Sequence, residues 1–248
     1  MKILFVPILV MCFSSNAQNF SIKEIVCKPK NKNSKIIYPI IVSGSLTADK
    51  LMNDKIREDI LWDENKKASI RQILESEIKD NSLADLWYEV NFKKNGILSL
   101  AIYAEGCGAY CEGSYHYFNF DLKTGRILLL DDLLEINLID SFKNMFLKDN
   151  AASLLEYKTS IKTSLDVKTI DSSDYKWMIE LIDECIADRK IDGFYLSEKK
   201  ISILNYCSFP HVIRAYEPGN GYEYSFDILK NFLKPQFRYR ITEKSKTN

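Results

Sequence analysis

From residue 87 to residue 122 the hydrophobic pattern has a period of two, which predicts β-strands, and short apolar runs bounded by polar turns predict further strands elsewhere. The strand segments lie at 19–28, 36–43, 87–92, 97–103, 115–122, 126–130, 193–196, 201–207 and 211–216. The Asn95-Gly96 pair between two of these segments is typical of a tight hairpin turn. Because most neighbouring segments are joined by short polar turns, we expect hairpins and therefore antiparallel pairing.

Other segments repeat their hydrophobic residues every three or four positions, which predicts amphipathic helices. Thr47 is placed to cap the first helix, and 217–221 is expected to form a turn before a short final helix. The helical stripes are Met52, Ile56 and Ile60; Ile70, Ile73, Leu74 and Ile78; Leu138, Phe142, Met145 and Phe146; Tyr175, Met178, Ile179, Ile182 and Ile186; and 226–233. Strands in hairpins and helices in separate blocks predict an α+β fold, with mostly antiparallel sheets packed against amphipathic helices.

The first 17 residues have the features of a signal peptide. A lysine precedes an apolar run over 3–13, which is too short to span a bilayer, and small residues follow up to Ala17. Cleavage after Ala17 would start the mature chain at Gln18, secreted or periplasmic and without a transmembrane segment. In the alternative, Cys12 carries a lipid anchor, although a methionine precedes it where a small residue is usual.

Residues 18–240 are expected to form a single domain, because no repeat and no linker rich in Pro, Gly or Ser interrupts them. Two closely packed sub-lobes, 18–90 and 91–240, are an alternative division. Residues 241–248 are expected to form a polar tail.

The charge balance excludes several classes of function. The chain has 34 basic and 34 acidic residues, and no cluster of Lys and Arg stands out, which argues against nucleic acid as a partner. Two histidines leave little room for a His-rich metal site, and no Gly-rich phosphate-binding loop is present. We therefore expect neither a metal nor a cofactor.

Five cysteines follow the predicted cleavage site, and export favours their oxidation to disulfides. Cys107 and Cys111 lie in a Gly-rich loop that is flexible enough to close a tight bridge. Cys185 and Cys207 would close a loop of roughly 20 residues, and the chain-entropy model assigns such a bridge about 3 kcal/mol of stabilisation. Cys27 is then the cysteine left without a disulfide partner.

A zinc half-site is the competing interpretation of Cys107 and Cys111, with His116 as a third ligand. His116, however, alternates with Phe118 and Phe120 on one strand face, which is typical of a half-buried core histidine. The exported context favours the disulfide.

Asp131 and Asp132 are adjacent carboxylates after an apolar strand, and one interpretation makes them an acid and base pair. Asp132 and Glu135 also have the spacing of a capping box at the start of a helix. The structural role is favoured, because nothing in the sequence pushes the two pKa values apart.

A turn motif, Asn119-Phe120-Asp121-Leu122-Lys123-Thr124-Gly125, leads into the helix start Leu130-Asp131-Asp132-Leu133. Together with the strands from residue 97 and the later segment 215–219, these motifs resemble the extracellular domain of RsiV-type anti-sigma factors. The same domain accompanies peptidoglycan deacetylases of the PdaC type. The resemblance covers most of the mature chain.

The resemblance implies a non-catalytic binding domain of the cell envelope, with lysozyme-like proteins or cell-wall glycan (peptidoglycan) as partners. It also suggests that the Gly-rich loop and the 217–221 turn project from one sheet edge and form a binding rim. The rim residues would be Tyr110, Tyr216, Glu217, Pro218 and Gly219. At Tyr110 this chain departs from the family, which usually has a histidine there.

A small envelope hydrolase or glycan-modifying enzyme is the alternative function. It would use the carboxylates of Asp131, Asp132, Glu105 or Glu112. Binding is favoured over catalysis, because no histidine is placed to orient any of these groups.

Overall fold

The computed structural model describes residues 20–31, 33–61, 67–164 and 172–242. The predicted signal peptide, Cys12 and the cleavage site before Gln18 lie outside the described residues, as do 243–248 of the predicted tail. Within the described residues the strands are β1 (Ser21–Cys27), β2 (Ile36–Val42), β3 (Leu83–Lys94), β4 (Ile97–Cys107), β5 (Cys111–Asp121), β6 (Gly193–Leu196), β7 (Lys200–Leu204) and β8 (Gly221–Ser225). The helices are α1 (Leu46–Leu61), α2 (Ile70–Lys79), α3 (Leu130–Leu133), α4 (Ile139–Ser164), α5 (Ser172–Ala187), α6 (Phe226–Leu229) and α7 (Pro235–Thr242), with 3₁₀ helices at Ile136–Leu138 and His211–Tyr216.

This arrangement confirms the α+β prediction. Strands β1 to β5 form one sheet in chain order, and β6 to β8 form a second sheet. Neighbouring strands are antiparallel except for β2 and β3, which pair in parallel where Ile36 lies opposite Leu86. The exception arises because α1 and α2 connect these two strands and return the chain to the same end of the sheet.

The Asn95-Gly96 turn between β3 and β4 is confirmed. Both residues have positive φ, 48° and 76°, which is the backbone that a tight two-residue hairpin turn requires. Arg240 of α7 holds this turn, because its guanidinium donates to the carbonyl oxygens of Asn95 at 3.0 Å and Gly96 at 2.8 Å.

A β-bulge in β3 decides which side chains face each side of the large sheet. The register with β4 shifts between Val90 and Phe92. Before the bulge, Leu86 packs in the core beneath α1 and α2, whereas Phe92 after it packs in a different core on the opposite face. One extra residue therefore reverses the alternation of the strand.

The first hydrophobic core lies between the large sheet and helices α1 and α2. The predicted stripes supply it, with Met52 and Ile56 from α1 and Leu74 from α2, all fully buried. Strands β4 and β5 contribute every second residue, which gives the large sheet one apolar face toward these helices.

Part of the opposite face carries the small sheet and a second core. Two buried polar side chains fasten the sheets together: Asn119 Nδ2 donates to the Phe194 carbonyl at 2.7 Å, and the Leu196 amide donates to Ser99 Oγ at 3.1 Å. A third core joins α4, α5 and the segment after β7.

Several local predictions were wrong. The segment predicted as a strand at 211–216 is a 3₁₀ helix, because Pro210 begins a turn in which its carbonyl accepts the Ile213 amide. The strand predicted at 126–130 is reduced to one bridge between Phe120 and Ile127. Only the last residue of the predicted 217–221 turn, Gly221, belongs to a strand: it begins β8, which was not predicted and which pairs with β7.

Two predicted helix caps were also misplaced. α1 begins two residues earlier than expected, so that the Ala48 amide donates to Ser45 Oγ at 3.4 Å and Thr47 lies inside the helix. Asp132 is the third residue of α3, and its carboxylate accepts the Leu129 amide at 2.9 Å. It therefore supports the start of α3 and does not cap the following helix.

The division into sub-lobes near residue 90 falls inside β3, which the β3–β4–β5 hairpins hold in one sheet. The residues of the first core end near residue 127, and those of the second follow from Leu128 onward, apart from Phe92 and Ile97 of the large sheet. No helix in the described part of the chain combines the length and the apolar character needed to cross a membrane.

Candidate functional site

The structure places both predicted cysteine pairs in disulfides. Cys107 and Cys111 lie directly opposite each other at the end of the β4–β5 hairpin, with Cα atoms 4.0 Å apart. Cys185 of α5 is joined to Cys207, with Cα atoms 5.4 Å apart. Cys27 is buried with a free thiol, and burial raises its pKa.

The ligand atoms of Glu105, Cys107 and Cys111 all lie within 4.8 Å of one another, as a metal site would require. The two sulfur atoms are bonded to each other, however, so neither is available as a thiolate. His116 is not part of this group: its side chain is half-buried, with Nε2 3.1 Å from Ser114 Oγ. Burial lowers the pKa of His116, which fits the predicted core histidine.

The hairpin tip contacts the 3₁₀ helix at His211–Tyr216. The Tyr110 ring stacks on His211 with centroids 4.8 Å apart, and Arg214 forms an ion pair with Glu112 at 3.0 Å. The Gly-rich loop and the segment before the 217–221 turn are therefore neighbours, as the resemblance suggests.

The predicted rim residues have unequal exposure. Tyr110 is 67% exposed and Gly219 is exposed, but Pro218 is buried. Tyr216 is half-buried against the third core, and its carbonyl accepts the Tyr157 hydroxyl at 2.7 Å. Glu217 is half-buried as well, and burial raises the pKa of its carboxyl. This surface therefore offers a ligand one exposed aromatic side chain.

A larger aromatic surface lies on the large sheet. The aromatic strip consists of Trp87, Tyr103, Tyr115, Tyr117 and Tyr195. Ring centroids are 5.3 Å apart for Trp87 and Tyr103, and 5.2 Å apart for Tyr103 and Tyr115. The strip continues to Tyr117 at 6.1 Å and then to Tyr195 of the small sheet, which stacks on Tyr117 at 4.6 Å.

Strand register produces this strip. Trp87, Tyr103 and Tyr115 are direct cross-strand partners on β3, β4 and β5, and they lie on the face opposite to α1 and α2. Gly113 supports the arrangement, because the Tyr103 ring lies where a β-carbon on residue 113 would be. Carboxylates border the strip, and Glu105 accepts the Tyr103 hydroxyl at 3.2 Å.

A cavity of about 320 Å³ adjoins the strip at Tyr117. Its walls are mostly apolar and come from β5, β6 and the segment 127–131. Asn119 lines it with only 4% of its surface exposed, and the Oδ1 atom has no hydrogen-bond partner among the described residues. Lys143 and Asp131 also line the cavity and form an ion pair at 2.9 Å.

The candidate catalytic carboxylates all have structural partners. Asp131 pairs with Lys143, Glu112 with Arg214, and Asp132 with the Leu129 amide. Glu105 accepts the Tyr103 hydroxyl.

Sequence reasoning missed both the strip and the cavity, although three tyrosines of the strip alternate along β4 and β5. No protein-family profile matches the sequence, and no curated protein sequence is similar to it.

Solved structures resemble the fold. A DUF3298 family protein from Bacteroides fragilis has a TM-score of 0.55 with 14% identity, over 92% of this chain and 98% of its own. Another from Pseudomonas aeruginosa has a TM-score of 0.47 with 12% identity, over 88% of this chain and 94% of its own. DUF3298 denotes a domain of unknown function. The similarity to the Bacteroides fragilis structure therefore shows a shared fold alone.

Proposed function

We propose that this chain is an exported, non-catalytic binding protein of the cell envelope, and that its aromatic strip binds a glycan chain of the cell wall. The observation that carries the proposal is the run of stacked rings across three strands, with Tyr115 44% exposed. Large aromatic side chains left on a surface indicate a binding function, because burying them elsewhere would stabilise the fold.

The chemistry of the strip suits a sugar chain. Pyranose rings have apolar C–H faces that pack on aromatic rings, and hydroxyl edges that need polar partners. Tyrosine hydroxyls and the carboxylate of Glu105 supply donors and acceptors beside the rings. Consecutive rings at about 5 to 6 Å give a chain several points of contact.

The resemblance to the extracellular domain of RsiV-type anti-sigma factors supports a partner in the cell envelope. The partners that it implies are lysozyme-like proteins and cell-wall glycan. The geometry favours glycan, because the strip is a line of rings and not a broad apolar patch. A lysozyme-like partner is the alternative that the binding experiment has to distinguish.

A non-catalytic role is supported by the candidate carboxylates. The two adjacent ones serve different local contacts, Asp131 with Lys143 and Asp132 with the start of α3. A catalytic pair needs both groups directed at one substrate position.

Isothermal titration calorimetry with β-1,4-linked tetrasaccharides tests the proposal. Trp87→Ala should weaken binding by about tenfold or more, as expected for loss of one aromatic anchor, while Tyr110→Ala at the hairpin tip should leave it unchanged. The reverse result would place the ligand on the predicted rim. Saturable binding of a lysozyme with no binding of any tetrasaccharide would replace the glycan proposal with a protein partner.

Export needs its own test. Protein isolated from the envelope of the producing cell should begin at Gln18, which intact mass spectrometry measures. A diacylglyceryl-modified Cys12 at the amino terminus would instead make the protein lipid-anchored.

A further inference from the structure

We infer that the cavity beside Tyr117 receives the N-acyl substituent of an amino sugar, so that the strip selects N-acylated glycan over glycan that bears only hydroxyls. This inference rests on the proposed function, because Tyr117 belongs both to the strip and to the cavity wall. A sugar residue bound at this end of the strip lies at the cavity mouth.

The unpartnered amide oxygen of Asn119 gives the cavity its specificity. The Asn119 amide nitrogen is already used, since it donates to the Phe194 carbonyl at 2.7 Å. The Oδ1 atom is an acceptor in a nearly buried side chain, where an unmade hydrogen bond is costly. A ligand that supplies an N–H group would satisfy this acceptor after a small movement of the side chain brings the buried Oδ1 atom to the cavity wall.

The remaining walls fit the acyl carbon atoms. Ile127, Leu128, Leu130, Ile191 and Phe194 all line the cavity. The volume of about 320 Å³ equals that of roughly ten liquid water molecules, so an acetamido group with four heavy atoms fits. An acetamido group combines the required N–H with a methyl group that these walls remove from water.

The charges of the cavity favour a neutral substituent. Asp131 is paired with Lys143 at 2.9 Å, and Asp192, which also lines the cavity, is paired with Lys190 at 3.6 Å. A free ammonium or carboxylate group would lose part of its hydration at a site where these partners of opposite charge are already paired, which costs free energy. The N-acylated form of an amino sugar is uncharged and avoids this cost.

The test compares two neutral β-1,4-linked tetrasaccharides by isothermal titration calorimetry. One is a tetramer of N-acetylglucosamine, and the other is cellotetraose, which has a hydroxyl in place of each acetamido group. The wild-type protein should bind the N-acetylated tetramer about tenfold more tightly, from one added hydrogen bond and one buried methyl group.

Two variants remove this preference by different routes. Asn119→Ala removes the acceptor, and Leu129→Trp fills the cavity mouth from a side chain that is 61% exposed and so does not threaten the fold. Both should bring the affinity ratio close to one, and the ratio cancels any loss of affinity that the two tetrasaccharides share, such as that from losing the Asn119 bond to Phe194. Leu46→Trp is the matched control, because Leu46 is 90% exposed on α1, behind the opposite face of the sheet, and its ratio should equal that of the wild type.

Failure of the cavity inference and failure of the proposed function give different results. Equal affinity of the wild-type protein for both tetrasaccharides would overturn the cavity inference and leave the proposed function standing. An affinity ratio that Leu129→Trp leaves unchanged would also overturn it, even if Asn119→Ala fails to fold. Absence of binding to either tetrasaccharide would overturn the proposed function and the inference with it.

Discussion

The Tyr103 ring lies directly over Gly113, where a β-carbon would be 2.7 Å from Cε2 and closer still to the hydroxyl oxygen. Gly113→Ala should therefore push the ring out of its stack with Trp87 and Tyr115. We expect tetrasaccharide affinity to fall by about tenfold, as for loss of one anchor. The melting temperature should change by no more than about 3 °C, because the ring lies at the surface.

Gly108→Ala is the control for this prediction. Gly108 lies in the same hairpin tip, and a β-carbon there would meet nothing within 4 Å. Equal loss of affinity in the two variants would show that glycine flexibility in the tip, and not the position of the Tyr103 ring, governs binding.

The two disulfides should differ in their contribution to stability. Replacing Cys185 and Cys207 with alanine should lower the free energy of unfolding by about 3 kcal/mol, because this bridge spans 22 positions. The same replacement of Cys107 and Cys111 should cost about 2 kcal/mol, because that bridge spans 4 positions. Urea unfolding of the two double variants measures both values.

Thiol titration accompanies this measurement. The mature protein should react slowly at its one expected free thiol while folded, because Cys27 is buried and burial raises its pKa. It should show one thiol once denatured without reductant. Three or more thiols would contradict the two-bridge structure.

His116 should make the fold less stable in mild acid. Burial lowers its pKa in the folded state below the usual value of about 6.5, so the unfolded chain takes up a proton first. The free energy of unfolding should then fall as the pH drops from about 6.5 through the lower folded-state pKa. His116→Gln should lack this dependence in urea unfolding between about pH 7.5 and about pH 5.

Glu217 should change the stability with pH in the opposite direction to His116. Burial raises its pKa, so its contribution to stability should grow as the pH falls through the carboxyl range. A fall in stability below about pH 6.5 that persists in His116→Gln would assign the effect to another group.

Asp132→Ala should lower the free energy of unfolding by about 1 kcal/mol, because the Leu129 amide loses its acceptor at the start of α3. Asp132→Asn keeps a side-chain oxygen at this position and should recover much of the loss. Asp131→Ala should have a small effect, since its ion pair with Lys143 is half exposed. Turnover of a glycan that disappears in either alanine variant would instead establish catalysis.

Much of the fold could be predicted because local patterns and tertiary packing agree. The Asn95-Gly96 turn fixes one hairpin, and the stripes of α1, α2 and α5 each face a core. Prediction failed where tertiary contacts decide the backbone. Four of the six residues in 211–216 are hydrophobic, as in a short strand, but Pro210 and the burial of Ile213 produce a 3₁₀ helix.

The aromatic strip could not be derived in the same way. Counting from the Asn95-Gly96 turn without a bulge pairs Tyr88 with Tyr103, and no residue type in the sequence signals the bulge. The bulge between Val90 and Phe92 makes Trp87 the partner of Tyr103 and leaves Tyr88 on the core side. The cavity depends on the small sheet packing onto the large one, which periodicity does not predict.

Arg240 of α7 donates hydrogen bonds to the Asn95-Gly96 turn. The last described helix is therefore bound to a hairpin that is synthesised much earlier. If the chain is exported as proposed, it leaves the translocation channel amino end first, so the first core, formed within residues 20–127, can assemble before α7 emerges. Until then the second core, to which Phe92 and Ile97 belong, lacks Phe237 and Ile241 of α7 and is incomplete. Chains truncated before residue 235 should therefore be degraded rapidly by envelope proteases, and a pulse-chase experiment should show this loss beside a stable full-length product.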